Sequence, residues 1–296
     1  MSTVFRNFDR NYIHLSLTVA IITLTSDIGL QDYLTGAVKG LLHQICPQHT
    51  VIDISHEVLP FNFPQAAYLC KSALPWFPAN TCHFILVNLF DHKNAPYLLC
   101  RHQNQYFFCA DNGLLTMILG GRPEDVYQLE FESSGINTLS VIKGFAEATL
   151  ALDFGTPMAE IGVASSSIVE RKPLQPIMQE DYIEGQVIYI DRFENVVVNI
   201  TREQFETCRK GRSFKIFVMR DDYIGHISES YAAVPEGNKV AMFNTAGYLE
   251  IAINKGNAAG LFGLQSYSRD ADSYRSAGDS QFHKHLFYQT IRIHFE

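Results

Sequence analysis

The chain has no Cys-x-x-Cys pair, no run of Lys or Arg, no glycine-rich phosphate loop, and no apolar stretch of the roughly 18 residues a bilayer span needs. Each absence removes a class of function. With a net charge of -8, a pI near 5.8 and no basic stripe, counterion release on a phosphate backbone has nothing to act through, so no nucleic-acid polymer is expected as a partner. The absence of an apolar span argues against membrane insertion. The six cysteines, Cys46, Cys70, Cys82, Cys100, Cys109 and Cys208, mostly sit beside apolar residues and read as reduced core thiols, which places the chain in the cytoplasm. Arg6 and Arg10 precede a modest apolar run, but Thr18, Thr23 and Thr25 interrupt it and no small-residue cleavage site follows, so this stretch reads as a leader into the first strand.

What is present is the composition of a globular protein, with 47% hydrophobic and 18% charged residues, and 296 residues are more than one core usually organises. Residues 18–165 alternate β-branched runs with helical segments, which predicts a three-layer α/β domain with a mostly parallel sheet. Ala20 to Leu24 is the first apolar run. Leu34, Val38, Leu41 and Ile45 then share one helical face, and Pro47 ends it. Strands are expected at Val51–Ile54 and His83–Val87, a helix at Pro64–Leu74, and a hairpin at Tyr97–Cys100 and Tyr106–Cys109. Asp111 is expected to cap the helix of DNGLLTMIL, and a last helix to run from Ala146 to Leu152. Residues 164–181 lose periodicity and read as a linker. Residues 182–296 read as β only, a small barrel or sandwich, with a polar loop at 267–286.

Three segments stand out as the lining of one small-molecule site: ITLTSDIG, YIDRFENVVVNI and FNTAGYLEIAINKGNAA. Asp27 lies just past the end of the first strand, where open α/β sheets bind ligands; its carboxylate could accept two hydrogen bonds from a ribose diol, or simply cap a turn. Asn195 could offer a donor and an acceptor to a base edge, or merely shape a hairpin. Thr245 carries the same ambiguity in the turn Thr245-Ala246-Gly247. Asp91 and His92 form a polar tip that could serve acid-base chemistry or be a plain loop. His283 and His285 lack a third ligand, so no metal is expected.

Together, ITLTSDIGLQDYLTGAVKGLL, VIDISHEVLPFNFPQAAYL, FFCADNGLLT, YIDRFENVVVNI and YLEIAINKGNAAGLFGL resemble, in order and over nearly the whole chain, the S-adenosyl-L-methionine (SAM) hydroxide adenosyltransferases, relatives of the SAM-dependent fluorinase and chlorinase. The resemblance implies an α/β domain, a C-terminal β-barrel and a homotrimer with sites between the N-domain of one subunit and the C-domain of the next. It implies that Asp27 holds the ribose diol, Asn195 the adenine edge and Tyr231 a face of the base, with the backbone of residues 256–259 at the ring. Phe61 would lie near the reacting face, and Asp191 and Thr245 at the methionine end. SAM or adenosine would be substrate or ligand, with no separate cofactor.

The hydrolases of that family use an Asp, Arg and His set on water; here those positions fall on Asn88, Ala95 and Val141. Asn88 can orient water but cannot take its proton. A gapped alignment could bring Asp91, His92 or Arg101 into the site instead. Ile142 stands where the halogenases carry a small hydroxyl residue, so halogenation is not implied, and Glu194 replaces a family glycine before Asn195. The expectation is a SAM hydrolase-like protein that hydrolyses SAM to adenosine and methionine or only binds it; the alternative is a non-catalytic adenosine or SAM sensor, or a structural trimer.

Overall fold

The computed structural model describes residues 20–91, 96–130, 136–219, 222–263 and 289–296. His92, Ala95, His283, His285 and the 267–286 loop lie outside the described residues. In the first half, strands β1 (Ile21–Ser26), β2 (Thr50–Ser55), β3 (Cys82–Leu86), β4 (Tyr97–His102), β5 (Gln105–Ala110), β6 (Asp125–Leu129) and β7 (Val163–Ala164) form one sheet in the order β2-β1-β3-β5-β4-β6-β7. The pairs β1 with β2, β1 with β3 and β3 with β5 are parallel, and β4 and β7 run against their neighbours. Helices α1 (Leu34–Ile45), α2 (Phe63–Ala73), α3 (Leu114–Leu119), α4 (Thr138–Asp153) and α5 (Met158–Ile161) accompany it.

The period-2 alternation of strand side chains explains the layering. Phe84 and Leu86 of β3 pack with Val38 and Leu42 of α1 and Phe145 of α4. Ile85, between them, packs on the other face with Phe63 and Ala66 of α2 and Leu115 of α3. Both faces are therefore covered, which is why these strands read as unbroken apolar runs. Phe145 is fully buried and contacts the rings of Phe84 and Phe108 at centroid distances of 5.4 Å each; truncating it to Ala should cost about 3 to 5 kcal/mol.

The second half contains β8 (Ile177–Met178), β9 (Tyr182–Ile190), β10 (Val196–Thr201), β11 (Phe214–Met219), β12 (Asp222–Ile224), β13 (Lys239–Phe243), β14 (Tyr248–Ile253) and β15 (Thr290–Phe295), antiparallel in the order β12-β11-β15-β9-β10-β14-β13 with β8 beside β9. The sheet curls until its ends meet. Lys239 of β13 pairs with Asp222 of β12, and the Ser228 N–H donates to the Ala241 carbonyl at 2.8 Å. The result is a nearly closed, barrel-like sheet around Phe205, Ile216, Leu249, Ile251 and Ile293.

Three expectations need correction. The second half is not β only: α6 (Arg202–Arg209) and α7 (Ala258–Leu261) are helical. Thr201 and Gln204 form a capping box at the start of α6, and Phe205 and Cys208 bury its inner face. The helix expected at Ala146 begins at Thr138, because Asn137 and Ser140 form a second capping box. Asp111 does not cap α3; its Oδ1 accepts the Val169 N–H at 2.8 Å, while Asn112 Oδ1 takes the Leu114 N–H at 3.1 Å.

Candidate functional site

Parallel pairing aligns Ser26 of β1 with Leu86 of β3, so the residues that follow each strand emerge side by side at the carboxyl edge of the sheet. There the Asn88 N–H donates to Asp27 Oδ2 at 2.9 Å. Asn88 has φ 48°, a left-handed conformation that Asn tolerates better than most residues, and its side-chain amide donates to Asp91 Oδ1 at 2.7 Å. Asn112 holds this loop from below through bonds from Nδ2 to the carbonyls of Val87 at 3.0 Å and Asn88 at 3.1 Å. Burial pushes the Asp27 carboxyl above its usual range, and the Asn88 N–H pulls part of that back.

A second chain of bonds fixes the turn around Asp27. Ser26 Oγ lies 2.7 Å from His56 Nδ1, His56 Nε2 lies 3.0 Å from Asp53 Oδ1, and Lys39 Nζ reaches Asp53 Oδ2 at 2.5 Å. Ser26 and His56 are buried, and the His56 carbonyl accepts the Gly29 N–H at 2.8 Å. The end of β1 is thereby tied to the end of β2 on both sides of Asp27.

Beside Asn88 opens a cavity of about 670 Å³ lined by Phe61, Phe63, Pro64, Asn88, Asp91, Met117, Arg171 and Lys172. That volume suits a ligand of nucleoside size. Phe61 is 54% exposed and has φ 63°. Val141 and Ile142 are absent from this wall; both are fully buried in the first turns of α4 with Phe84 and Phe145. Arg101 is also remote. Its register opposite Tyr106 puts it at the amino end of β5, across the sheet from Asp27.

The second group of candidates lies on the barrel. Asp191 Oδ1 accepts the N–H groups of Phe193 at 2.9 Å and Asn195 at 2.8 Å, and its Oδ2 accepts Asn195 Nδ2 at 3.0 Å. The hairpin is thus built by Asp191, which fixes the Asn195 amide and leaves its carbonyl oxygen and second N–H without a partner among the described residues. The Ala259 N–H donates to the Glu194 carbonyl at 2.9 Å, which seats residues 256–259 against this hairpin. Glu194 adopts φ 63°, strained for a residue with a Cβ.

The Tyr231 hydroxyl donates to Glu250 Oε1 at 2.6 Å. Burial drives the Glu250 carboxyl upward, the Tyr231 bond lowers it, and nearby Asp191 raises it again. Thr245 stands exposed in the turn between β13 and β14. Because Val196 pairs with Ile251 and Thr201 with Tyr248, that turn lies at the opposite end of β10 and β14 from Asn195, roughly 17 to 20 Å along the strands. Among the described residues, no hydrogen bond joins Asp27 or Asn88 to Asp191, Asn195 or Tyr231.

Helix α2 spans the gap. Its first residues line the cavity, and its Tyr68 meets the rings of Tyr189 and Tyr248 at 5.3 and 5.4 Å and accepts Asn244 Nδ2 at 3.1 Å. Sequence reading missed Asn112, Arg171, Lys172, Glu250 and the Ser26–His56–Asp53 chain. The Asx-Gly step after β5 was the available sign for Asn112; the others depend on pairings tens of residues apart. Among the described residues, no group of three or more His, Cys, Asp or Glu is placed to hold a metal, and no helix is long and apolar enough to cross a membrane.

A carboxylate at the carboxyl edge of a mostly parallel sheet, an open cavity beside it and a barrel with polar hairpins make up a two-part α/β and β architecture. The chain belongs to the SAM hydroxide adenosyltransferase family: residues 22–162 match its N-terminal domain and residues 185–269 its C-terminal domain. It is 28% identical over 254 residues to a (R)-S-adenosyl-L-methionine hydrolase of Thermus thermophilus, covering 81% of this chain and 94% of that one. A fluorinase of Actinopolyspora mzabensis is 25% identical over 287 residues, covering 83% and 94%. A crystal structure of an uncharacterized conserved protein from Thermotoga maritima superposes with a TM-score of 0.73 at 23% identity, covering 93% and 98%, and so shares the fold.

Proposed function

We propose that this chain binds SAM and hydrolyses it to adenosine and methionine, with the ribose diol on Asp27 and the water handled by Asn88 and Asp91. The observation that carries the reading is the Asp27–Asn88–Asp91 chain of bonds at the rim of the cavity. Asp27 supplies a fixed carboxylate for the diol, a charge-assisted contact. Asn88 supplies an oriented amide. Asp91 brings to the same wall a carboxylate able to accept a proton, which Asn88 cannot do.

In the proposed step the water oxygen bonds to the sugar carbon as the carbon–sulfur bond breaks. The electron pair goes to sulfur, which leaves as the neutral thioether of methionine, and the water proton passes to Asp91. The sulfonium is already a good leaving group, so alignment and proton acceptance are the residues' main contributions. The barrel residues Asn195 and Tyr231 belong to the adenine end of the same ligand, and Asp191 acts there by fixing the Asn195 amide; Thr245, at the other end of the strands, is the candidate for the methionine end. The homotrimer that the family resemblance implies, in which one subunit's α/β half meets the next subunit's barrel, would bring the two residue groups to one ligand.

Incubation with SAM and quantification of adenosine and methionine against a protein-free control tests this reading. Asp91→Asn should slow product formation roughly 100-fold with little change in SAM affinity. A wild-type protein that retains intact SAM and forms no adenosine would favour the second reading, a SAM or adenosine sensor, for which the burial of Val141 away from the cavity is the supporting observation.

A further inference from the structure

The end of β1 is held by more than sheet pairing. Strands β1 and β2 run in step from Ile21 with Thr50 to Leu24 with Asp53, but Thr25 then pairs with Ser55, so Ile54 is an extra residue in β2. Such a bulge is uncommon in a parallel pair, and it re-aims the side chains that follow. His56 is the residue it re-aims. Asp53 and His56, three positions apart, would face opposite sides of a regular strand; here Asp53 Oδ1 lies 3.0 Å from His56 Nε2, and His56 Nδ1 lies 2.7 Å from Ser26 Oγ. The carbonyl of His56 accepts the Gly29 N–H at 2.8 Å, and the Ser26 carbonyl accepts the Val58 N–H at 3.2 Å. Asp27 and Ile28 are the two residues left between these ties.

Ser, His and Asp in a row suggest a nucleophile and its base, but Ser26 is 0% exposed, so no substrate carbon reaches its oxygen. The chain of bonds therefore acts through its neighbour. Burying a hydroxyl and an imidazole costs more than burying an apolar pair of the same size, and what partnered polar groups give in return is a fixed geometry. Here the group to be fixed is a carboxylate. One oxygen of Asp27 already takes the Asn88 N–H. Two parallel bonds to vicinal hydroxyls form only when the carboxylate plane is held within roughly 10 to 20°, whereas a single bond survives rotation.

We propose that His56 is a positioning residue for Asp27, and that its grip on Ser26 and Gly29 lets the chain distinguish a ribose with both hydroxyls from a 2′-deoxyribose. The inference rests on the SAM reading above, in which Asp27 meets the ribose diol, and adds the residue that gives this contact its selectivity.

The probes are adenosine and 2′-deoxyadenosine, titrated into the full chain by calorimetry. The wild type should bind adenosine roughly tenfold tighter. His56→Leu fills much of the space of the ring without its nitrogens; it should bring the two affinities within about threefold, chiefly by weakening adenosine. Ser26→Ala, a small truncation at the other end of the bond, should narrow the preference in the same way, so the outcome does not hang on the folding of one variant. His56→Asn, whose amide can stand where Nδ1 does, should restore part of it. Variants at both positions that keep the wild-type preference overturn the inference and leave the SAM reading standing. Loss of both affinities in parallel, with their ratio unchanged, assigns His56 a structural role and also overturns it. A wild type that binds the two nucleosides equally, or neither, removes the diol contact itself, and the SAM reading of Asp27 falls with the inference.

Discussion

The backbone N–H of Asn88 donates to Asp27 Oδ2 at 2.9 Å, so the carboxylate proposed to meet the ligand also pins the loop that carries Asn88 and Asp91. Asp27→Ala would remove both roles together, but Asp27→Asn separates them. It keeps an oxygen for the Asn88 N–H and removes the charge. Nucleoside affinity should fall by about 1.5 to 3 kcal/mol with the melting temperature nearly unchanged. Unchanged affinity in the folded variant would remove the ribose role.

The same carboxyl gives binding a pH dependence of fixed sign. Burial raises the folded pKa of Asp27 above the ordinary 3.8. A diol contact that needs the ionised form is complete above that raised value and is lost as pH falls through it. Stability runs the other way: between 3.8 and the raised value the folded state holds more proton than the unfolded one, so Asp27 withdraws stability as pH rises. Adenosine affinity measured from about pH 4 to pH 7 should fall toward acid in the wild type and stay flat in Asp27→Asn. An equal slope in both proteins would assign the titration elsewhere.

His56 carries the turn below Asp27, and its removal should be felt as stability. His56→Leu leaves the Ser26 hydroxyl, fully buried and 2.7 Å from the ring nitrogen, without its partner. An unsatisfied buried polar group costs about 1 to 3 kcal/mol, to which the lost Asp53 pair adds little because that carboxylate is partly solvated. His56→Asn should recover part of the loss, since its amide can stand where Nδ1 does. Urea unfolding of the two variants would show the order; equal stability would leave the Ser26–His56 bond without energetic weight.

The sequence revealed the fold through periodicity and the candidate site through local motifs. Leu34, Val38, Leu41 and Ile45 marked α1, and β-branched runs marked the strands, because helical and extended periods repeat within a few residues. Asp27 was legible because its position at a strand end is a local property. Arg171 was not: nothing near it in sequence distinguishes it from any charged linker residue, and only the docking of that segment on Asn112 and Thr116, 55 to 59 positions away, puts it in the cavity. Glu250 was missed for a similar reason. A carboxylate inside an apolar strand looks solvent-facing by alternation, yet Glu250 is buried and bonded to Tyr231, 19 positions away. The start of α6 was legible in Thr201-Arg202-Glu203-Gln204 but was outweighed by the strand pattern on either side.

The bond between Tyr231 and Glu250 should be measurable as a coupling. Tyr231→Phe leaves a buried carboxylate short of a donor, and Glu250→Gln removes the charge that makes the donor matter. In a double-mutant cycle at pH 7 the two changes should couple by about 1 to 3 kcal/mol. Glu250 titrates above the ordinary carboxylate value, so the coupling should be full above that raised pKa and shrink as pH falls through it. Additive losses at neutral pH would mean that Glu250 is neutral there.

Gly113 offers a test of how firmly the linker is built into the molecule. It has φ 88°, a region unfavourable to residues with a Cβ, and it leaves the space through which Arg171 passes. Gly113→Ala should therefore lose stability twice, by backbone strain and by displacement of Arg171 from Asn112, for a total of about 1 to 3 kcal/mol. Displacing Arg171 also loosens the residue that holds the Asn88 loop, so SAM affinity should fall along with stability. Gly120→Ala is the matched control: it has a comparable φ of 79° at the other end of α3 but open space around it, so it tests strain alone. If both variants lose the same stability and neither loses affinity, the Arg171 path contributes nothing, and the linker is only a tether.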